Sequence, residues 1–261
     1  MELIDFIKTH LKEGFLPLSA SFEAMEHFTC NFREVEETAL REGVLPLRYK
    51  RNQKTISTQE QYILFQSHVV ILGCGGLGGF VSEMLTRIGV GTLTLIDGDV
   101  FEEHNLNRQN FSSIQTLGQN KAKVLAHKLQ EINPALHVNI QPTFLSLPND
   151  ENLLLKANVI VDALDNPELK CSVARWAKEN HNAFVHGAIA GYYAQFSSCD
   201  TLENLYRTPG DGAEKTSGNP SFTVCFAASI QSAEVVKLLL GKAHLKSPLM
   251  ADLWEYELNL L

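Results

Sequence analysis

An apolar pentapeptide that runs straight into a glycine cluster is the strongest constraint on how this chain folds. His68-Val69-Val70-Ile71-Leu72 leads directly into Gly73-Cys74-Gly75-Gly76-Leu77-Gly78-Gly79. A short continuous aliphatic run reads as a strand buried on both faces, the habit of a parallel sheet. Val81, Met84, Leu85 and Ile88 then recur at helical spacing, and Gly89 supplies a stop. Gly73, Gly75 and Gly78 give G-x-G-x-x-G spacing between strand and helix. Glycine is required there because the backbone turns tightly and lets phosphate approach the helix N-terminus.

The remaining chain alternates. A second strand is expected over 92–96, with further strands near 136–140, 159–161, 183–186 and 249–253. Helices are expected over 119–132, 167–180 and 222–240, the last ended by Gly241. That alternation predicts an α/β fold, a mostly parallel sheet with helices on both faces. Residues 208–220, rich in glycine, proline and polar residues, read as a loop.

Residues 1–60 look helical and less regular. Leu3, Ile4, Ile7 and Leu11 share a helical face, and a second helix over 32–40 stops at Gly43. Pro46 suggests an extended passage over 47–52. Thr58-x-x-Gln61 has the form of a capping box. The expected division is a short helical N-terminal extension, 1–47, and a main domain, 48–261.

Composition removes several function classes. The chain has 261 residues, 44% hydrophobic and 20% charged, which suits one α/β domain with a small addition. Thirty acidic residues against 22 basic ones give −8, which argues against a general nucleic-acid binder. No apolar run approaches the ~18–20 residues of a membrane span. The charged N-terminus is unlike a signal peptide, so a cytoplasmic location is expected. Cys30, Cys74, Cys171, Cys199 and Cys225 are odd in number, scattered, and form no C-x-x-C. A disulfide framework and a structural zinc site are both unsupported.

Asp97, 24 residues after Gly73 at the end of the second strand, suits the ribose hydroxyls, with Asp99 as a close rival. Asn105, Asn107 and Arg108 follow, Lys121 opens the next helix, and Asp165 and Asn166 end the fourth strand. Ligands of open parallel sheets sit beyond the carboxyl ends of the strands, so these segments converge on one crevice. Glycine loop and ribose acid alone do not separate ATP from NAD. Two further cations suit a triphosphate, from which pyrophosphate departs. Asp165 among phosphates is then best explained as a magnesium anchor, a duty Asp162 could share unless it ties down the strand end. Plainer roles stand beside these: Arg108 in a surface ion pair, Lys121 solvated, Asp165 assisting Asn166 as a helix cap, Asn105 and Asn107 as turn residues.

G-C-G-G-L-G-G, L-I-D-G-D, N-L-N-R-Q, G-Q-N-K, I-N-P and D-A-L-D-N occur in that order between about Arg48 and Leu240. Together they resemble the ThiF/MoeB/HesA adenylyltransferases, prokaryotic relatives of ubiquitin-activating enzymes. The resemblance implies a Rossmann-like fold and a homodimer. It implies ATP-dependent activation of the C-terminal glycine carboxylate of a small ubiquitin-like sulfur-carrier protein ending in Gly-Gly, for thiamine, molybdopterin or related sulfur transfer. Gly76 and its neighbours would cradle ATP, and Asp97 would hold the ribose. Asn105, Arg108 and Lys121 would contact phosphates. Asp165 would bind Mg²⁺, with Asn166 beside the nucleotide. Arg48-Tyr49-Lys50-Arg51 is similar to the family's R-Y-x-R, whose last arginine reaches the partner subunit's ATP site, so Arg51 takes that part.

Two departures matter. The zinc-binding C-x-x-C pairs of many members are missing, so no zinc is expected. The loop 208–220 lacks the cysteine that some members use to accept the activated carrier. Cys199 is a minor candidate for that part, and Cys225 looks buried; direct transfer to an external sulfur donor is the expected course. The rivals are adenylation of a modified tRNA base or a peptide, an NAD-dependent oxidoreductase using His186, and a scaffold with a dead site.

Overall fold

The computed structural model describes residues 1–198, 202–206 and 214–261. Its strands are β1 (His68–Leu72), β2 (Thr92–Ile96), β3 (His137–Gln141), β4 (Val159–Asp162), β5 (Ala183–Ala190), β6 (Tyr193–Ser197), β7 (Leu249–Asp252) and β8 (Glu257–Leu260). They form one sheet in the order β3-β2-β1-β4-β5-β6-β7-β8. The pairings from β3 through β5 are parallel, and those from β5 through β8 are antiparallel. Helices α1 (Leu3–Thr9), α2 (Leu18–Phe28), α3 (Phe32–Arg41) and α4 (Thr58–Gln66) precede the sheet. They are followed by α5 (Gly76–Ile88), α6 (Lys121–Ile132), α7 (Pro167–Glu179), α8 (Leu202–Leu205), α9 (Glu214–Ser217) and α10 (Ser221–Leu239).

Side-chain alternation in β1 explains the layering. Val69 and Ile71 join a core with α5, α6 and α10, while Val70 and Leu72 face the other way, against Val173, Trp176 and Ala177 of α7. Each such fully buried aliphatic side chain contributes about 1.5–3 kcal/mol. This is the expected α/β arrangement, a mostly parallel sheet covered on both faces. Its crevice lies beyond Leu72, Ile96 and Asp162, where β1, β2 and β4 end.

Phe6, Ile7, Leu16, Ala24 and Val35 give the N-terminal helices their own small core. Arg33 fastens them to the sheet domain by donating to the carbonyls of Gly91 and Ala135. Arg48 pairs with buried Glu36 and donates to Asn133 Oδ1 at 3.0 Å, while Asn133 Nδ2 donates to the Tyr49 hydroxyl at 3.1 Å.

Several expectations need correction. Residues Leu47–Asn52 form a 3₁₀ helix, not an extended passage. Proline restricts the residue before it, and Pro46, at the N-cap, leaves the chain free to coil afterwards. The capping box is Ser57 with Glu60, one residue earlier than Thr58 with Gln61. Gln61 is instead buried and donates to the Ile88 carbonyl. Helices α2, α8 and α9 and strands β6 and β8 were not foreseen, α9 falling within the stretch 208–220 read as a loop, and β5 runs on to Ala190. Helix α10 is long and apolar enough to cross a membrane, contrary to the reading that no run approaches that length. It packs instead as a core helix against α5 and β5, with Val224, Ala227, Ala228 and Val235 buried.

Candidate nucleotide-binding site

The glycine loop is fixed by steric necessity. Gly73 has φ +89°, and a Cβ there would lie 2.6 Å from the Ala163 carbonyl oxygen. A Cβ on Gly78 would lie 1.8 Å from the Gly73 carbonyl oxygen, so the helix can follow the strand this closely only with glycine. Gly73, Gly75 and Gly76 line a cavity of about 940 Å³; Gly78 supports the turn from behind and is not part of the lining.

Asp97 lines the same cavity and is nearly buried. Its Oδ2 accepts from the Cys74 N–H at 2.6 Å and its Oδ1 from the Asp99 N–H at 2.7 Å. Burial pushes this carboxyl above its ordinary value, against those two donors and Lys121. Asp97 therefore ties the glycine loop to the end of β2 while facing the crevice.

Lys121, at the start of α6, is buried apart from its cavity-facing side. Its backbone N–H donates to the Asp99 carbonyl at 2.9 Å, and Nζ donates to Asp99 Oδ2 at 3.0 Å. Asp99 is thus a partner of the lysine as well as a wall of the cavity. A buried cation at a helix N-terminus opposes the helix dipole, and an incoming anion relieves that conflict.

Arg108 also lines the cavity. Its Nη1 donates to Asn107 Oδ1 at 2.8 Å and to the His104 carbonyl at 3.0 Å. Burial draws its guanidinium below the usual value, and it stays a cation at neutral pH. Asn107 is outside the lining; it positions Arg108 and donates to the Asn219 carbonyl at 3.3 Å. Asn105 is buried in the wall, its Oδ1 accepting from the Glu102 N–H at 3.0 Å in a turn.

Asp165 stands exposed at the cavity rim. Asn166 caps α7, its Oδ1 accepting from the Leu169 N–H at 2.9 Å, so Asp165 is free of capping duty. Asp162 belongs to a different structure. It is fully buried, 3.2 Å from Lys170 Nζ and 2.6 Å from His186 Nδ1. Burial pushes its carboxyl up, but those two neighbours together hold it below the ordinary value. His186 Nε2 lies 3.3 Å from the Tyr206 hydroxyl. Both ring nitrogens are engaged, which suits a strand-end anchor better than a hydride-transfer base.

Arg51 is exposed at the end of the 3₁₀ helix and does not line this chain's cavity. Cys199 lies outside the described residues, as does much of 208–220. Cys225 is half-buried rather than enclosed. Sequence reading gave Gln109 no role beyond its place in N-L-N-R-Q and missed Phe144, Gln195 and Asn219; all four are in the cavity wall. Their residue types carry no spacing signal. Gln109 Oε1, Gln195 Nε2 and Asn219 Oδ1 are buried without a hydrogen-bond partner, and such orphans mark where a polar ligand is received.

The donor set fits ATP with Mg²⁺. The glycine loop leaves room for phosphates, two cations face it, and Asp165 is an available carboxylate. Among the described residues no cluster of three or more His, Cys, Asp or Glu could hold a metal alone. A magnesium ion bound largely through nucleotide phosphates needs only one or two such carboxylates.

A model of the ThiF family matches residues 49–260. The chain belongs to the ThiF family. The ThiF-family chain is 37% identical over 130 residues to a tRNA threonylcarbamoyladenosine dehydratase of Haemophilus influenzae, covering 49% of this chain and 50% of that protein. It is 31% identical over 221 residues to the sulfur carrier protein ThiS adenylyltransferase of Bacillus subtilis, covering 80% of this chain and 66% of that one. The chain spans about half the length of the first curated relatives it matches. Its fold resembles that of Escherichia coli MccB solved with ATP, at 22% identity and a TM-score of 0.70, over 92% of this chain and 81% of the other.

Proposed function

We propose that this protein is a nucleotidyltransferase that uses ATP to adenylate the C-terminal glycine carboxylate of a ubiquitin-like sulfur-carrier protein. The observation that carries the reading is the convergence of Arg108, Lys121 and Asp165 on the cavity lined by the glycine loop. The Bacillus relative, named for acting on the carrier ThiS, supports the substrate class.

The chemistry follows from that geometry. A carboxylate is already ionised at neutral pH, so it attacks the α-phosphorus of ATP without a general base. Arg108 and Lys121 neutralise charge developing on the departing pyrophosphate, and the glycine-loop N–H groups hold the phosphates in line. Magnesium, held through Asp165, supplies further neutralisation of the phosphate oxygens when bound. Asp97 orients the ribose. The acyl-adenylate then passes to an external sulfur nucleophile. Arg51 serves the site of a second copy, so the active form is a homodimer.

ATP–pyrophosphate exchange against candidate carriers ending in Gly-Gly tests the reading. Tight NAD binding without ATP binding rejects it. A second reading, adenylation of a tRNA base, draws on the 37% identity to the Haemophilus protein. Exchange stimulated by tRNA and by no carrier would favour it.

A further inference from the structure

Three of the segments that build the site meet one helix and its lead-in. Asn219, just before α10, accepts from Asn107, which also holds Arg108. Val224 stands against the glycine loop, where a Cβ on Gly76 would lie 3.1 Å from Val224 Cγ1. Gln231 reaches the end of β4, its Nε2 donating to the Asp162 carbonyl at 2.9 Å. Val224 and Gln231 are two turns apart on one face of α10. A continuous helix thus sets the spacing between the glycine loop and the loop that carries Asp165.

The acid loop is closely tied. The Ala163 N–H donates to the Leu72 carbonyl at 2.9 Å, and the Leu164 N–H to Asp162 Oδ1 at 3.0 Å. The Ala163 carbonyl lies against Gly73, where a Cβ would come within 2.6 Å of its oxygen. A shift of this loop is therefore felt directly by the glycine loop.

Gln231 is fully buried, outside the cavity lining, and its Oε1 has no hydrogen-bond partner among the described residues. An apolar side chain of the same length would fill the room without stranding an acceptor, so packing alone does not account for an amide here. The neighbouring strand gives way to it. At Gly187 of β5 a Cβ would lie 2.3 Å from Gln231 Cδ, so a larger residue there would push the amide off the Asp162 carbonyl.

Resting on the ATP–magnesium site of the adenylation reading, we infer that Gln231 is a positioning residue for Asp165: through the Asp162 carbonyl it holds the acid loop where Asp165 and the nucleotide phosphates can share one magnesium ion. Gln231 touches neither nucleotide nor metal. It acts through the backbone from Asp162 to Asp165, and Gly187 is the vacancy in β5 that lets it reach.

The test reads ATP binding to the full chain by calorimetric titration across a range of Mg²⁺ concentrations, beside pyrophosphate exchange with carriers ending in Gly-Gly and a thermal melt. Gln231→Met keeps the length and removes the donor. The Mg²⁺ concentration needed to strengthen ATP binding is expected to rise about tenfold, with metal-free ATP affinity unchanged. In an Asp165→Asn chain the same change is expected to add less than about twofold, because Gln231 acts through Asp165. Gly187→Ala displaces the amide without altering it and is expected to repeat the effect, which keeps the inference testable should Gln231→Met fail to fold. An unchanged Mg²⁺ requirement in the folded variants overturns the inference, as does a tenfold effect that persists in the Asp165→Asn chain. ATP binding indifferent to Mg²⁺ in the parent also overturns it. The expected metal dependence in a parent that exchanges pyrophosphate with no carrier overturns the adenylation reading and leaves Gln231 in its role.

Discussion

Lys121 Nζ stands 3.0 Å from Asp99 Oδ2 while the backbone of the same lysine is bonded to the Asp99 carbonyl. One residue thus fixes both the helix start and the ammonium group of α6. Replacing Lys121 with Met removes the cation and leaves the backbone bond. The expected result is a loss of about 10²–10³-fold in kcat for exchange, as for loss of one preorganised charge-stabilising donor. Steady-state kinetics beside a thermal melt would separate this from unfolding.

Asp165→Asn is expected to abolish exchange without disturbing the fold. Asn166 supplies the cap of α7, and Asp165 is exposed with no helix-capping role. Stability should stay within about 0.5 kcal/mol of the parent, the usual range for such surface positions. Normal exchange in this variant removes Asp165 from the mechanism.

Arg51 offers a complementation test. Arg51→Ala and Asp165→Asn should each be inactive alone, since one lacks the residue given to a second copy and the other a residue of its own site. Mixed and reassociated, half the dimers carry one intact site, so about a quarter of parent activity returns. No recovery, with exchange of subunits verified, places Arg51 outside the partner's site.

Acid sensitivity has a definite sign. Burial and Lys170 hold the His186 pKa below its ordinary 6.5, against the opposing influence of Asp162. Below pH 6.5 the unfolded chain takes up a proton that the folded imidazole refuses, so stability falls until the folded pKa is reached. His186→Gln should flatten this loss between about pH 7 and pH 5. His68, also depressed by burial, leaves a residual slope. Urea melts across that range would show whether the two curves differ.

Arg48→Met leaves Glu36 buried without its cation. Burial already pushes the Glu36 carboxyl up, and Arg48 is the main influence holding it down. A loss of about 3 kcal/mol is expected, the scale for breaking a buried pair at one end. Denaturant unfolding of the full chain measures it.

What the sequence disclosed depended on how one-sided the physics is. β1, α5 and β2 were legible because a strand buried on both faces must be aliphatic and because only glycine fits at positions 73 and 78. β6 was hidden because Tyr193 and Gln195 face the cavity, so its pattern is neither continuous nor cleanly alternating. The ladder beyond His186 continues through glycine and alanine, which carry no strand signal. The capping box slipped by one residue because Ser57 and Thr58 both fit the pattern; Glu60, a carboxylate near a helix N-terminus, wins over Gln61. Arg108 and Lys121 could be read from charge alone. Gln195 and Asn219 could not, since an amide declares itself only when its surroundings leave it unpartnered.

The switch from parallel to antiparallel pairing after β5 divides the labour of the sheet. Parallel strands need returning helices, and α5 and α6 bring the glycine loop and Lys121 with them; β6 follows β5, and β8 follows β7, by tight antiparallel turns that need none. Substitutions among Ala188, Ala190, Tyr193, Gln195 and Met250 can therefore reshape one wall of the cavity while the glycine loop and Lys121 keep their places on the other strands.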